Sequence, residues 1–267
     1  MLQSLFTGIS GLGAHQRMLD VTANNIANVN TTGFKSSSTE FEDTLSQTVQ
    51  GAGGPTGSSG GTNAVQYGLG VQVAGTALNF TQGSNQATGV TSNMLINGDG
   101  FFVVSKNGQQ LYTRAGNFTL DSAGNLVTPD GAIAEDTTGN PLNLAGLTNG
   151  SYVSWSIDPN GNINAVNSAG VTTTLGQVGV ATFANPNGLQ KVGDTAFAAS
   201  PNSGPAQVGA PNTGSRGSIT SGYVEMSNVD LSAELTNLII SERGFQANSK
   251  VITTSDEVLQ TLVNLKQ

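Results

Sequence analysis

The sequence contains no cysteine, one histidine, one tryptophan, and only 9 basic and 17 acidic side chains in 267 residues. Without cysteine there is no disulfide framework, thiol nucleophile or thiolate metal site, and the redox compartment is left open. Charged residues make up 10 % of the chain, where about a quarter is usual. A net charge of −8 and an isoelectric point near 4.4 offer no basic footprint for a phosphate backbone, so nucleic acid is excluded as a partner. No apolar run approaches the ~18 residues of a membrane-spanning helix. The opening Met1-Leu2-Gln3-Ser4 has neither the basic patch nor the apolar core of a cleaved secretory signal. If the chain leaves the cytoplasm, the expectation is a route that removes no signal peptide. Hydrophobic residues are few, at 36 %, yet enough for the chain to fold at least in part.

What is present is unevenly distributed. Leu2, Leu5, Ile9, Leu12, Leu19, Ala23 and Ile26 follow steps of three and four, interrupted only at Gln16, which is the seam of a helix that packs on another helix. The rhythm returns near the other end, where Leu231, Leu238, Phe245, Ile252 and Leu259 are spaced by seven, with Leu235 and Val263 on companion positions. A second stripe runs through Val251, Val258, Leu262 and Leu265. Apolar residues on more than one side are expected of a helix enclosed by several neighbours. Ser227-Asn228-Val229-Asp230 supplies N-cap candidates before this helix, with Glu234 in its first turn. Asn28 to Gly33 ends the first helix with turn-forming residues, and Gly33 suits the positive φ of a helix exit.

Between Thr44 and Gly98 there is no charged residue. Its first part, Gly51 to Thr62, has linker composition and reads as a flexible or partner-ordered extension. From about Gln66 to Tyr223 short alternating runs are separated by turn signals: Phe101–Val104, Gln110–Thr113, Tyr152–Ile157 and Gly179–Phe183 are runs, and Asn107-Gly108, Asp130-Gly131 and Asn160-Gly161 are breakers. The expected class is α+β: discontinuous terminal helices forming a coiled-coil-like domain, and a central all-β domain.

Chemistry is sparse. The single histidine, His15, lies in the N-terminal seam and reads as a solvated or packed helical residue. Gly57-Ser58-Ser59-Gly60-Gly61 fits the nucleophile-elbow string but lacks the preceding strand and following helix that the motif needs. Asp158-Pro159-Asn160-Gly161-Asn162 opens like a calcium loop, yet Ile163 and Ala169 stand where Gly and Glu would be required, so a β-turn explains it better. Tyr152 and Trp155 fit a sugar-stacking platform no better than they fit a strand core. No catalytic, cofactor-binding or metal constellation emerges, and the expectation is a non-enzyme without cofactor or small-molecule substrate.

The run Asp20-Val21-Thr22-Ala23-Asn24-Asn25-Ile26-Ala27-Asn28-Val29-Asn30-Thr31-Thr32-Gly33-Phe34-Lys35 resembles the N-terminal signature of the axial proteins of the bacterial flagellum. Gly222 to Leu231, which holds Ser227, Asn228 and Val229, and Arg243 to Lys250 are similar to that family's C-terminal signature. Gly98-Asp99-Gly100-Phe101-Phe102 and Tyr112 to Phe118 resemble its shared central β domain. Within the family, Ser227–Leu231 and Gln246–Gln260 look more like the short hook protein of Gram-positive type, whereas the Gly/Ser tract resembles the extra segment of distal rod proteins. The balance of these runs favours hook, with distal rod as the alternative.

The resemblance implies a structural subunit of a helical tube that transmits motor torque to the filament. It divides the chain into an N-terminal helical part (1–45), a Gly/Ser-rich linker or extension (46–66), a β domain (67–223) and a C-terminal helix that pairs with the first (224–267). The polymerisation contacts would be Leu5, Ile9, Leu12, Leu19, Ile26, Leu231, Leu235, Leu238, Phe245, Ile252 and Leu259. The implied partners are further copies of the chain, the rod, hook-cap and hook–filament junction proteins, and the flagellar type III export apparatus. The implied location is the extracellular flagellum, in hook or basal body, reached without a cleaved signal.

Overall fold

Both seams form helices. In the computed structural model, which describes residues 2–55, 57, 60–148 and 150–265, the N-terminal helix spans Leu2–Ala27 and the C-terminal helix Leu231–Asn264. Asp230 caps the second, its carboxylate accepting from the backbone N–H of Ser232 and Ala233, which satisfies donors that a helix start leaves orphaned. Gly33 takes a φ of +69° just beyond the first helix.

The chain divides into two units, one of residues 1–27, 37–78 and 230–267, the other of 28–36 and 79–229. In the first, the helices are accompanied by an antiparallel pair, Ser37–Asp43 with Val71–Leu78, and by the hairpin Ser46–Gln50 with Val65–Gly68. The stretch 46–66 is therefore not an unstructured linker. Alternating β-formers on both flanks of the Gly/Ser tract pair across it, with Gln47 opposite Tyr67 and Gln50 opposite Val65, and a further bridge joins Gly53 and Thr62. Thr56, Ser58 and Ser59 lie outside the described residues, and with them the serines of the elbow-like string. The composition-based boundary at 67 also moves, because Val71–Leu78 pairs with a strand of the helical unit and not with the β unit.

The second unit is built of antiparallel ladders. Its largest sheet runs in the order Gln190–Gly193, Ala196–Ala198, Gln109–Thr113, Phe101–Lys106, Ile133–Ala134, Leu126–Val127 and Thr119–Leu120. Phe101–Lys106 and Gln109–Thr113 are joined by the Asn107-Gly108 turn, with Phe102 opposite Thr113 and Val104 opposite Leu111. A meander of Tyr152–Ile157, Asn162–Asn167 and Thr172–Gln177 stands beside this sheet in the unit. The core gathers Phe102, Phe118, Leu126, Leu144, Ile163 and Ile219, with the Phe102 and Phe118 rings edge-to-face at 5.2 Å, a preferred aromatic geometry. Trp155 packs against this core, as a strand residue would.

Asp158 closes a β-turn: its carboxylate accepts from the backbone N–H of Asn160 and Asn162 and from the Asn162 amide. The same Asp-x-x-Gly-Asn device recurs at Asp121 and Asp136. The Asn125 side chain, aided by backbone N–H groups, holds the Asp121 carboxyl below its ordinary value. Burial alone would raise Asp136, but hydrogen bonds from Thr138 and the turn backbone outweigh it and leave that carboxyl lowered.

Candidate functional site

The two helices run antiparallel, and the register can be read from five facing pairs. Ser4 and Ser255 bring their hydroxyls to 3.4 Å. Gly8 faces Ile252, Gly11 faces Asn248 and Gly244 faces His15. Asn25 donates to Glu234 Oε1 at 2.8 Å. A Cβ at Gly11 would stand 2.6 Å from Asn248 Oδ1, and one at Gly244 would collide with the His15 imidazole. The closest part of the seam is thus glycine against a larger side chain, and glycine is what lets the backbones approach. His15 is a packed helical residue, its ring also 5.8 Å from Phe41.

This geometry sorts the expected contact residues. Leu5, Leu12, Leu19, Ile26, Leu238, Ile252 and Leu259 are half-buried along the pair. Ile9 stays 56 % exposed, Leu231 44 %, Leu235 47 % and Phe245 37 %. They lie off the intrachain seam because glycine and polar positions occupy it. Further exposed apolar side chains include Phe6, Ile239, Ile240, Val251, Val258 and Leu262. Each helix therefore carries apolar surface that its partner helix does not cover.

The signature residues fall into two sets. Asn25 is buried in the helical unit, where its amide donates to the Ser37 carbonyl and accepts from the Ser37 N–H. Asn24 and Ala27 are exposed on the same helix. The others belong to the β unit. Asn28 accepts from the Thr31 hydroxyl, closing the turn after the helix. Gly33 donates its N–H to the Glu225 carbonyl at 2.7 Å. Phe34 is buried with the Lys191 ammonium 4.6 Å above its ring, a cation–π contact. Asn228 accepts from Ser36 N–H and donates to the carbonyls of Asn79 and Thr81. Ser227 accepts from Val229 N–H, and Val229 is half-buried.

At the centre of this second set, Lys35 Nζ lies 2.6 Å from Glu225 Oε1 and also donates to the Thr81 carbonyl. Arg114 Nη1 approaches Glu225 Oε2 at 3.4 Å, while Nη2 donates to the Gly98 carbonyl at 2.7 Å. Burial pushes the Lys35 ammonium below its usual value, opposed by the Glu225 carboxylate, and burial lowers the Arg114 guanidinium in the same way. Glu225 and Arg114 were not singled out as site residues from the sequence. The signal available was their presence as charges inside resembling motifs of a chain that has few.

A rigid β unit and a helix pair with uncovered apolar flanks define a structural subunit that associates through its ends. The comparisons place it more closely. The family described as flagella basal body rod protein matches residues 5–35, the flagellar hook protein FlgE/F/G D1 domain matches 95–165, and the flagellar basal body rod FlgEFG protein C-terminal family matches 220–265. The chain is 46 % identical over its full length to the full-length flagellar basal-body rod protein FlgG of Bacillus subtilis. It is 38 % identical, over 96 % of its length and 97 % of the relative's, to the FlgG rod protein of Agrobacterium fabrum. Against the flagellar hook protein FlgE of Borreliella burgdorferi it is 29 % identical, the alignment covering both chains fully and running over 441 residues. The chain belongs to the flagellar rod and hook family of axial proteins, whose members are structural components of the flagellum.

The hook-like runs at 227–231 and 246–260 are thus outweighed. They lie in a region whose family spans hook and rod proteins alike, so a few residues there discriminate poorly. Identity along the whole chain, including the extension and the variable β segments, runs toward the rod proteins.

Proposed function

We propose that this chain is a rod subunit of the flagellar basal body, of the distal-rod kind, that polymerises with copies of itself into a straight torque-bearing segment. The observation that carries the assembly reading is the apolar surface left open on both terminal helices, from Phe6 and Ile9 to Phe245 and Leu262. Completing the burial of one such side chain is worth roughly 1 kcal/mol, so ten of them supply a driving force that a single subunit cannot realise. Contacts of one patch with a different patch on the next copy build an open helical polymer when the rotation does not close. The expected contact residues extend beyond the heptad leucines to Phe6, Ile239 and Ile240. The choice of rod over hook is supported by the full-length resemblance to FlgG rod proteins. Rod and hook proteins are the proposed axial neighbours, and export follows the flagellar type III route without a cleaved signal.

Two measurements test this. Sedimentation of the full chain across a concentration series should show large polymers, lost when Ile9 and Phe245 are both changed to Asp; a monomer at all concentrations rejects the assembly reading. Immunolabelling of purified basal bodies should place the protein below the hook, and label confined to the hook rejects the rod assignment.

A further inference from the structure

The β unit contains a cavity of about 270 Å³ that the assembly contacts described above do not use. Its floor is apolar, formed by Val104, Leu111 and Ala132, and two carboxylates, Asp130 and Asp194, stand in its lining. Asn117 also faces it, and its Oδ1 is shielded from solvent without a hydrogen-bond partner. A buried acceptor left unmade is costly, and so the cavity lacks a donor.

The charges in the lining do not balance. Asp130 and Asp194 both bind Lys106, at 3.0 and 2.9 Å, leaving one negative charge beyond what the single ammonium neutralises. The wall that carries Asp194 is strained: Gly193, Asp194 and Thr195 all take positive φ, at 108°, 52° and 55°. A β-branched residue in that region is an outlier, and such strain gathers where a structure is held for a purpose. Here it is held by the Thr113 hydroxyl donating to the Thr195 carbonyl at 3.0 Å and by the Asp194–Lys106 pair.

An apolar floor, an acceptor without a donor and a surplus carboxylate match the stem and head of one long basic side chain. A hydrated metal ion would gain nothing from the floor. The chain has few such side chains to offer. Lys35, Arg114, Lys106 and Lys191 are engaged within the β unit. Arg216 donates to the Gln207 carbonyl and Arg243 to Gln246, and Lys266 lies outside the described residues. Among the described residues, Arg17 and Lys250 are exposed cations with neither a carboxylate nor a hydrogen-bond partner, and both sit on the terminal helices.

We infer that this cavity is a receptor for a basic side chain of a second copy of the chain, supplied by Arg17 or Lys250. The inference rests on the self-assembly proposed above. It assigns the β unit a specific, charge-read contact with the helices of a neighbouring subunit, in addition to the apolar contacts of the helices themselves.

The test is the critical concentration for polymerisation of the full chain, measured by sedimentation at low and high salt. Asp194→Asn removes the surplus charge, leaves Lys106 paired with Asp130, and keeps a residue type that tolerates positive φ. Asn117→Ala removes the open acceptor. Each should raise the critical concentration roughly fivefold with the thermal melting of the monomer unchanged, and should weaken the salt dependence. Arg17→Gln or Lys250→Gln should do the same, and the double variant with Asp194→Asn should cost no more than either alone. Asp194→Lys combined with the matching Arg17→Glu or Lys250→Glu should restore assembly. If the parent polymerises but the cavity variants stay within twofold of it, or if cavity and cation effects multiply independently for both cations, the receptor is overturned and the assembly reading stands. If the parent does not polymerise, both fall.

Discussion

Lys35 and Glu225, 190 positions apart in sequence, form an ion pair at 2.6 Å from which water is wholly excluded. Arg114 joins from a third segment, and Glu225 also accepts from the Gly83 N–H. The pair ties the segment after the N-terminal helix to the segment before the C-terminal helix. One carboxylate serves two cations, so its loss strands both. We expect Glu225→Gln to cost about 3–5 kcal/mol in denaturant unfolding, whereas Asp194→Asn at an exposed pair should cost under about 1 kcal/mol.

Gly11 and Gly13 are neighbours on one helix with opposite surroundings. A Cβ at Gly13 meets open space, while one at Gly11 runs into Asn248. Gly13→Ala should raise stability by about 0.5–1 kcal/mol through helix propensity. Gly11→Ala should lower it despite the same propensity gain, and Gly11→Val more so. Thermal melting of the four proteins followed by helical circular dichroism checks the ordering.

Removing the cap at Asp230 leaves two backbone donors of the C-terminal helix without their partner. Asp230→Ala should cost about 1 kcal/mol, and Asp230→Asn much less. Amide exchange over the first turn of that helix should quicken in the alanine variant, with the β unit unaffected.

Acid should weaken the β unit through its turns. Asp121 is lowered first by the Asn125 side chain. At Asp130 and Asp136 burial acts upward but is outweighed, by Thr128 and Lys106 in one case and by Thr138 and the turn backbone in the other. All three native carboxyls therefore release protons below the ordinary 3.8, and the unfolded chain binds more protons in that interval. Their stabilisation is complete above the unfolded value and disappears as pH falls through the native ones. The melting temperature should be nearly flat from pH 7 to 5 and fall below about pH 4; the triple Asp→Asn variant should show a shallower fall.

The helices were legible because their information is local. Heptad spacing, the Asp230 cap and the Gly33 exit each operate within a few residues. The intrachain seam was less so: spacing pointed to Leu231, Leu235 and Phe245, while the closest contacts use Gly8, Gly11 and Gly244, whose role depends on what faces them. The hairpin flanking the Gly/Ser tract was hidden by averaging composition over residues that pair with those on its far side. The Lys35–Glu225–Arg114 group joins three remote segments, and no periodicity encodes such a meeting. The preference for hook over rod came from terminal runs common to both kinds, where little distinguishing information resides.

The facing pairs of the helices also act as a ratchet stop. Ser4 with Ser255 and Asn25 with Glu234 are polar matches at opposite ends, and glycines meet larger side chains between them. Sliding one helix by a turn would break both end matches at once and set bulk against bulk in the middle. Under torque, a subunit of this design cannot lengthen or shorten by slipping its own helices. Strain in the assembled segment must be taken up between copies, which makes each protomer a stiff strut and confines compliance to the joints.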